Sequence, residues 1–227
     1  MGNLIVLLIM LILPFVLAVR GKYRSKGTVI NKTWFYIKDI CVNISILLLL
    51  LVLNSSIYHP LNFEKIGKGI IIPPEITTII IIFFVLPFFH ALINRNINRS
   101  NKVTFGYPTQ FLPDNLKEFL IFNIYVIVGV LFEELICRQS MFYSFNSVLS
   151  LKGDKLLLLS SFLFSVGHLY QGWKGIISSF ILGMSLGKLF QISENLIFPI
   201  ILHMIFNLSI SVYAYRKFSH KTIKNLL

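Results

Sequence analysis

The chain has 227 residues, of which 56% are hydrophobic and 13% are charged, and its mean hydropathy is +0.78. A soluble domain of this length could not bury so much apolar surface, so the composition predicts a polytopic membrane protein. The net charge of +12 does not indicate a nucleic-acid partner, because lysines and arginines cluster between apolar runs, as in loops of membrane proteins. The expected surroundings are a lipid bilayer.

The apolar runs predict an all-α transmembrane helical bundle of about seven spans. In chain order these are Leu4–Val19, Ile40–Ile57, Ile71–Ile93, Lys117–Tyr143, Lys155–Tyr170, Gly175–Phe190 and Asn195–Tyr215. Pro199 falls inside the last span and is expected to kink it. On the sixth span, Ser179, Gly183 and Gly187 form a stripe of small residues that predicts a closely packed neighbouring helix.

The spans divide the chain into three regions. Residues 1–115 are expected to contribute membrane spans only, residues 116–215 form a core of four spans, and residues 216–227 form a basic tail. Loop charge predicts an external N-terminus and a cytoplasmic C-terminus. We expect a multi-pass integral protein of a bacterial cell membrane.

Polar residues at membrane depth mark the core as a functional region. Ionisable groups there cost at least about 2.5–3.5 kcal/mol each, so they are rare and usually functional. Span four carries Glu133, Glu134 and Arg138, span five carries His168, and span seven carries His203 and Asn207. Counted from the shared membrane face at ~1.5 Å per residue, these positions all lie near mid-bilayer. Packed neighbouring helices could therefore bring them together.

Helical phase separates their roles. Glu134 and Arg138 are four residues apart, on one helix face, and can form a charge-assisted pair. Glu133 is rotated by ~100° from Glu134 and is left free for chemistry. His203 and Asn207 also share a face, so both can donate to one substrate oxygen.

These residues suffice for amide hydrolysis. A carboxylate in a low-dielectric site is a stronger base than one in water, so Glu133 beside His168 could activate a water molecule. His203 and Asn207 could then stabilise the developing oxyanion, where the loss of one donor typically costs about 2.7–4 kcal/mol.

Three ordered motifs carry a family resemblance. EExxxR begins at Glu133, FxxxH runs from Phe164 to His168, and HxxxN runs from His203 to Asn207. This pattern resembles the CPBP family of intramembrane proteases, which includes the type II CAAX prenyl endopeptidases and the bacterial Abi proteins. The likeness covers roughly residues 117–211, and so identifies the four-span core as CPBP-like and catalytic.

The resemblance implies a role for each motif residue. Glu133 resembles the residue that activates water, assisted by His168, while His203 and Asn207 resemble the oxyanion donors. The Glu134–Arg138 pair resembles the supporting pair of the family.

The same residues could instead bind a zinc ion. The set Glu133, His168 and His203 could bind one zinc ion, as two-His, one-Glu sites do. The chain contains no HExxH motif. We expect metal-independent glutamate chemistry without a cofactor.

The expected function is an intramembrane endopeptidase that acts on a membrane-associated peptide or protein. The substrate could be a prenylated or unmodified signalling peptide, a bacteriocin or a bacteriocin leader. One alternative is a non-catalytic protein for bacteriocin self-immunity or regulation, which would bind a peptide or a partner such as a kinase. Another is a small transporter, although short loops and the lack of a repeat pair argue against it.

Overall fold

The computed structural model describes residues 2–26, 31–53, 103–104, 107–108 and 111–224. The helices are α1 (Gly2–Lys26), α2 (Lys32–Leu53), α3 (Leu116–Glu134), α4 (Met141–Leu149), α5 (Gly153–Val166), α6 (Gly172–Ser193) and α7 (Ile197–Lys224). A π-helical turn, Leu135–Ser140, joins α3 to α4, and a 3-10 turn, Leu169–Gln171, joins α5 to α6. The two-residue strands β1 (Val103–Thr104) and β2 (Tyr107–Pro108) pair antiparallel.

Five helical stretches of the described chain are long and apolar enough to cross a membrane. They are Leu4–Lys22, Lys32–Leu50, Leu116–Leu149, Gly175–Ser193 and Ile197–Arg216. The helical membrane-protein class is thus confirmed, whereas the count of about seven spans is not. The predicted span Ile71–Ile93 lies outside the described residues. The predicted span Lys155–Tyr170 corresponds to α5, whose 14 residues extend only about 21 Å.

The prediction of a kink at Pro199 is wrong. Helix α7 begins at Ile197, so Pro199 lies in its first turn. The N–H groups of a first turn have no partner within the helix, and proline removes no hydrogen bond there.

Polar contacts at one end of the bundle fix the start of α3. The side chain of Asn115 caps the helix by accepting from the N–H of Glu118 at 2.9 Å, and the Glu118 carboxylate accepts from the N–H of Asp114 at 2.9 Å. Lys32, at the start of α2, donates to the Leu112 carbonyl at 2.8 Å and pairs with Asp114. These contacts hold α2 beside α3.

The small-residue stripe of α6 packs against α5. A Cβ atom added to Gly183 would lie 3.2 Å from the Ser161 Cα and 3.2 Å from the Phe164 ring. One added to Gly187 would lie 2.4 Å from a methyl group of Leu157. The stripe therefore permits the close contact of two helices.

Replacing Gly183 by leucine is expected to lower the free energy of unfolding by about 1–3 kcal/mol, because the larger side chain meets the α5 backbone. Thermal unfolding in detergent measures the effect. Ser178→Leu, on an exposed face of the same helix, is the matched control and should unfold near the wild-type temperature. Equal melting of the two variants would contradict the packing assignment.

Candidate active site

The backbone changes its helical form at the first motif. Helix α3 ends at Glu134 and continues directly into the π turn, where Ser140 Oγ donates to the Leu135 carbonyl at 2.9 Å. The sequence predicted a span over Lys117–Tyr143, and the structure places this π turn within the corresponding helical stretch, Leu116–Leu149. Such π turns occur mostly as short insertions and frequently at functional sites.

The structure contains the predicted pair of Glu134 and Arg138. Arg138 Nε lies 3.2 Å from Glu134 Oε2, and both side chains are buried. The guanidinium also lies 3.4 Å from the Gly183 carbonyl, through Nη2, and 5.1 Å from the centroid of the Phe164 ring. Arg138 thus connects the π turn to α5 and α6.

Glu134 has a second partner that the spacing did not reveal. His203 Nδ1 lies 2.7 Å from Glu134 Oε1, and His203 is buried on α7. Because a carboxylate accepts and does not donate, His203 Nδ1 carries the proton of this hydrogen bond. His203 Nε2 then faces Glu133, at 3.6 Å from its Oε2.

His168 lies beyond the end of a helix and not within a span as predicted. Helix α5 ends at Val166, and the His168 N–H bonds the Ser165 carbonyl at 3.0 Å. The Phe164 carbonyl is bonded instead by His168 Nδ1, at 2.9 Å. A carbonyl only accepts, so Nδ1 carries the proton and Nε2 faces Glu133 Oε1 at 3.8 Å.

Glu133 therefore lies between two imidazole Nε2 atoms. Its side chain is 29% exposed, whereas that of Glu134 is 0% exposed. The separations of 3.6 and 3.8 Å exceed the 2.7–3.2 Å of a direct hydrogen bond. The carboxylate and the two rings thus face a common space, and each ring is held by its other nitrogen.

Phe164 is a packing residue whose role the sequence did not reveal. Its ring centroid lies 4.7 Å from that of His168 and 6.2 Å from that of His203. The face of the same ring contacts the Arg138 guanidinium. One aromatic ring therefore spaces three motif side chains, which accounts for a phenylalanine in FxxxH.

Asn207 is placed apart from this group. It lies one helical turn beyond His203 on α7 and is partly exposed. Within the described part of the chain no hydrogen bond joins it to Glu133, His168 or His203.

A cavity of about 130 Å³ opens beside Glu133 and His168. Helices α1 and α2 form part of its wall, so residues 1–115 contribute more than the expected membrane spans. The residues from α1 and α2 are Leu13, Pro14, Leu17, Arg20, Gly21, Phe35, Asp39 and Asn43. Arg20 and Asp39 form an ion pair in this wall.

The donor types of Glu133, His168 and His203 suit zinc, since both rings direct Nε2 toward a carboxylate. Their spacing does not. Among the residues that the structure describes, no three His, Cys, Asp or Glu side chains are grouped closely enough to hold a metal ion. We therefore derive no reaction step through a metal.

Part of the chain matches a known protein family. Residues 115–209 match the family described as Type II CAAX prenyl endopeptidase Rce1-like. The match contains all three motifs and confirms the resemblance inferred from them. No curated protein and no solved structure matches the chain. The family supports a CAAX-type intramembrane endopeptidase in general.

Proposed function

We propose that residues 115–209, an Rce1-like domain, hydrolyse a peptide bond of a membrane-associated peptide or protein, using a water molecule activated by Glu133 and His168. The observation that carries this proposal is the convergence of two imidazole Nε2 atoms on one partly exposed carboxylate. Each ring is anchored by its other nitrogen, so both Nε2 atoms are oriented before the substrate binds.

The first step of the proposed reaction is attack by water. A water molecule between Glu133 and His168 Nε2 donates hydrogen bonds to both, and Glu133 takes its proton as the oxygen attacks the carbonyl carbon. The carbonyl double bond becomes an oxyanion. Collapse of that intermediate breaks the C–N bond, and protonated Glu133 gives its proton to the leaving amine.

His203 is proposed to stabilise the oxyanion. Donation from Nε2 requires a proton on both ring nitrogens, and the Glu134 carboxylate accepts from Nδ1 at 2.7 Å. With His203 protonated, two carboxylates, Glu133 and Glu134, face one guanidinium and one imidazolium. This charge balance supports the donor role, and Asn207 on the same helix is proposed as the second donor.

Cleavage by the purified protein tests the proposed function. The protein is reconstituted in lipid vesicles with internally quenched peptides that end in a CAAX-type sequence, either prenylated or unmodified, and products are identified by mass. We expect cleavage of at least one series. Binding of both series without any product would contradict hydrolysis and favour the non-catalytic alternative.

The proposed chemistry needs no metal. We expect cleavage to survive strong chelators and the active protein to contain no stoichiometric zinc. His203→Ala and Asn207→Ala should lower turnover by similar factors, about 10²–10³, because each removes one oxyanion donor. About one zinc per chain, lost together with activity in the Glu133, His168 or His203 variants, would overturn this proposal.

A further inference from the structure

Asn43 is a buried polar residue that has no hydrogen-bond partner among the residues that the structure describes. It lies on α2, is only 6% exposed and lines the cavity beside Glu133. Within the described part of the chain its amide forms no hydrogen bond. The amide nitrogen of Asn123 on α3 donates to the Phe119 carbonyl at 2.7 Å, whereas its Oδ1 is buried and has no hydrogen-bond partner among the described residues. Because Asn43 lines the cavity and forms no hydrogen bond to a described residue, its amide is available to a group bound there.

The neighbours of Asn43 define which group would fit. Asp39 lies one helical turn before Asn43, and both line the cavity. Asp39 is paired with Arg20 of α1 across the same wall. Since the two charges compensate each other, this part of the cavity is polar without net charge. It suits a neutral hydrogen-bonding group better than a charged group, for which the paired residues leave no counter-charge.

We propose that Asn43 binds a main-chain amide of the substrate peptide, next to the bond that is cleaved. A side-chain amide offers both a donor and an acceptor, which match the C=O and N–H of a peptide unit. Because Asn43 and Glu133 line one cavity, a peptide cleaved at Glu133 passes along the wall that carries Asn43. The inference rests on the proposed peptidase function and makes Asn43 a substrate-binding residue outside the matched residues 115–209.

Asn43→Leu separates this role from a structural one. With the quenched peptide that the wild type cleaves, kcat/KM should fall by about tenfold, the effect of losing one hydrogen bond that leaves its partner unpaired. The melting temperature should stay the same or rise, because no bond within the protein is lost. Asn43→Ala, which also removes the amide, serves as the second variant if leucine does not fit. A variant that melts earlier and keeps wild-type kcat/KM would show a structural role only and overturn the inference.

Asn123→Leu is the matched control. It also removes an asparagine from a membrane helix, but Asn123 does not line the cavity. We expect its kcat/KM to match the wild type. An equal loss of kcat/KM in the Asn43 and Asn123 variants would overturn the inference, because it would trace the loss to the helices and not to the cavity.

Modified peptides identify the bound group. A series in which single non-scissile amides are replaced by esters removes one N–H at a time. For one ester position in the peptide, the kcat/KM of the wild type should fall. The kcat/KM of Asn43→Leu should not fall further with the same ester. Additive losses at every position would overturn the inference while leaving peptide cleavage intact. Absence of cleavage by the wild type would overturn the proposed function, and this inference with it.

Discussion

Replacing Glu133 by glutamine is expected to abolish peptide cleavage, with a loss of at least about 10²–10⁴ in kcat, because the amide cannot take a proton from water. The side chain keeps its size and still faces the two histidine rings. Since Glu133 is partly exposed to the cavity, removal of its charge should leave membrane expression and the melting temperature close to those of the wild type. Turnover is measured with the quenched peptide in vesicles.

Asp154→Asn provides the control for this change, because it also removes one carboxylate, from an exposed position at the start of α5. It should cleave like the wild type. Near-normal turnover by the Glu133→Gln protein would remove Glu133 from the mechanism. Loss of activity accompanied by early melting would trace the effect to folding instead.

The second large effect is expected at the buried ion pair. Glu134→Gln leaves the Arg138 guanidinium without a counter-ion, and Arg138→Met leaves Glu134 with His203 as its remaining partner. Breaking a buried pair typically costs about 3–5 kcal/mol, so each single variant should melt well below the wild type. The double variant removes both charges and should recover part of the loss. Recovery should be incomplete, since Arg138 also contacts Phe164 and Gly183.

An exposed ion pair serves as the reference for the melting temperatures of these variants. Lys188 and Asp154 lie 3.7 Å apart, with side chains 47% and 84% exposed. Exposed pairs contribute little, so Lys188→Met should leave the melting temperature nearly unchanged. If both Glu134→Gln and Arg138→Met melt like the wild type, the pair does not hold the bundle together. Glu134→Gln should also lower turnover, because its carboxylate orients the His203 ring.

The sequence by itself determined the features that depend on local spacing. Mean hydropathy and apolar runs identified a helical membrane protein, because spans must satisfy their own backbone hydrogen bonds. Helical phase predicted the pairing of Glu134 with Arg138, since residues four apart lie on one face whatever surrounds them. The three motifs predicted a resemblance to the type II CAAX prenyl endopeptidases, and the family match to residues 115–209 confirms that resemblance.

The tertiary structure decided the contacts between distant segments. His203 binds Glu134 across 69 residues, a contact that depends on how α7 packs against α3 and that no local pattern encodes. The sequence did not predict that α5 ends at Val166, because the apolar run continues through Leu169. In the structure the His168 ring donates to the Phe164 carbonyl, which a main-chain N–H would bond if the helix continued. The placement of Asn43 beside Glu133 likewise arises from packing of α2 against α3, which brings a residue outside the motifs to the cavity. Hydropathy shows which segments enter the membrane, but helices in lipid associate through side-chain packing and polar contacts, which only the folded arrangement determines.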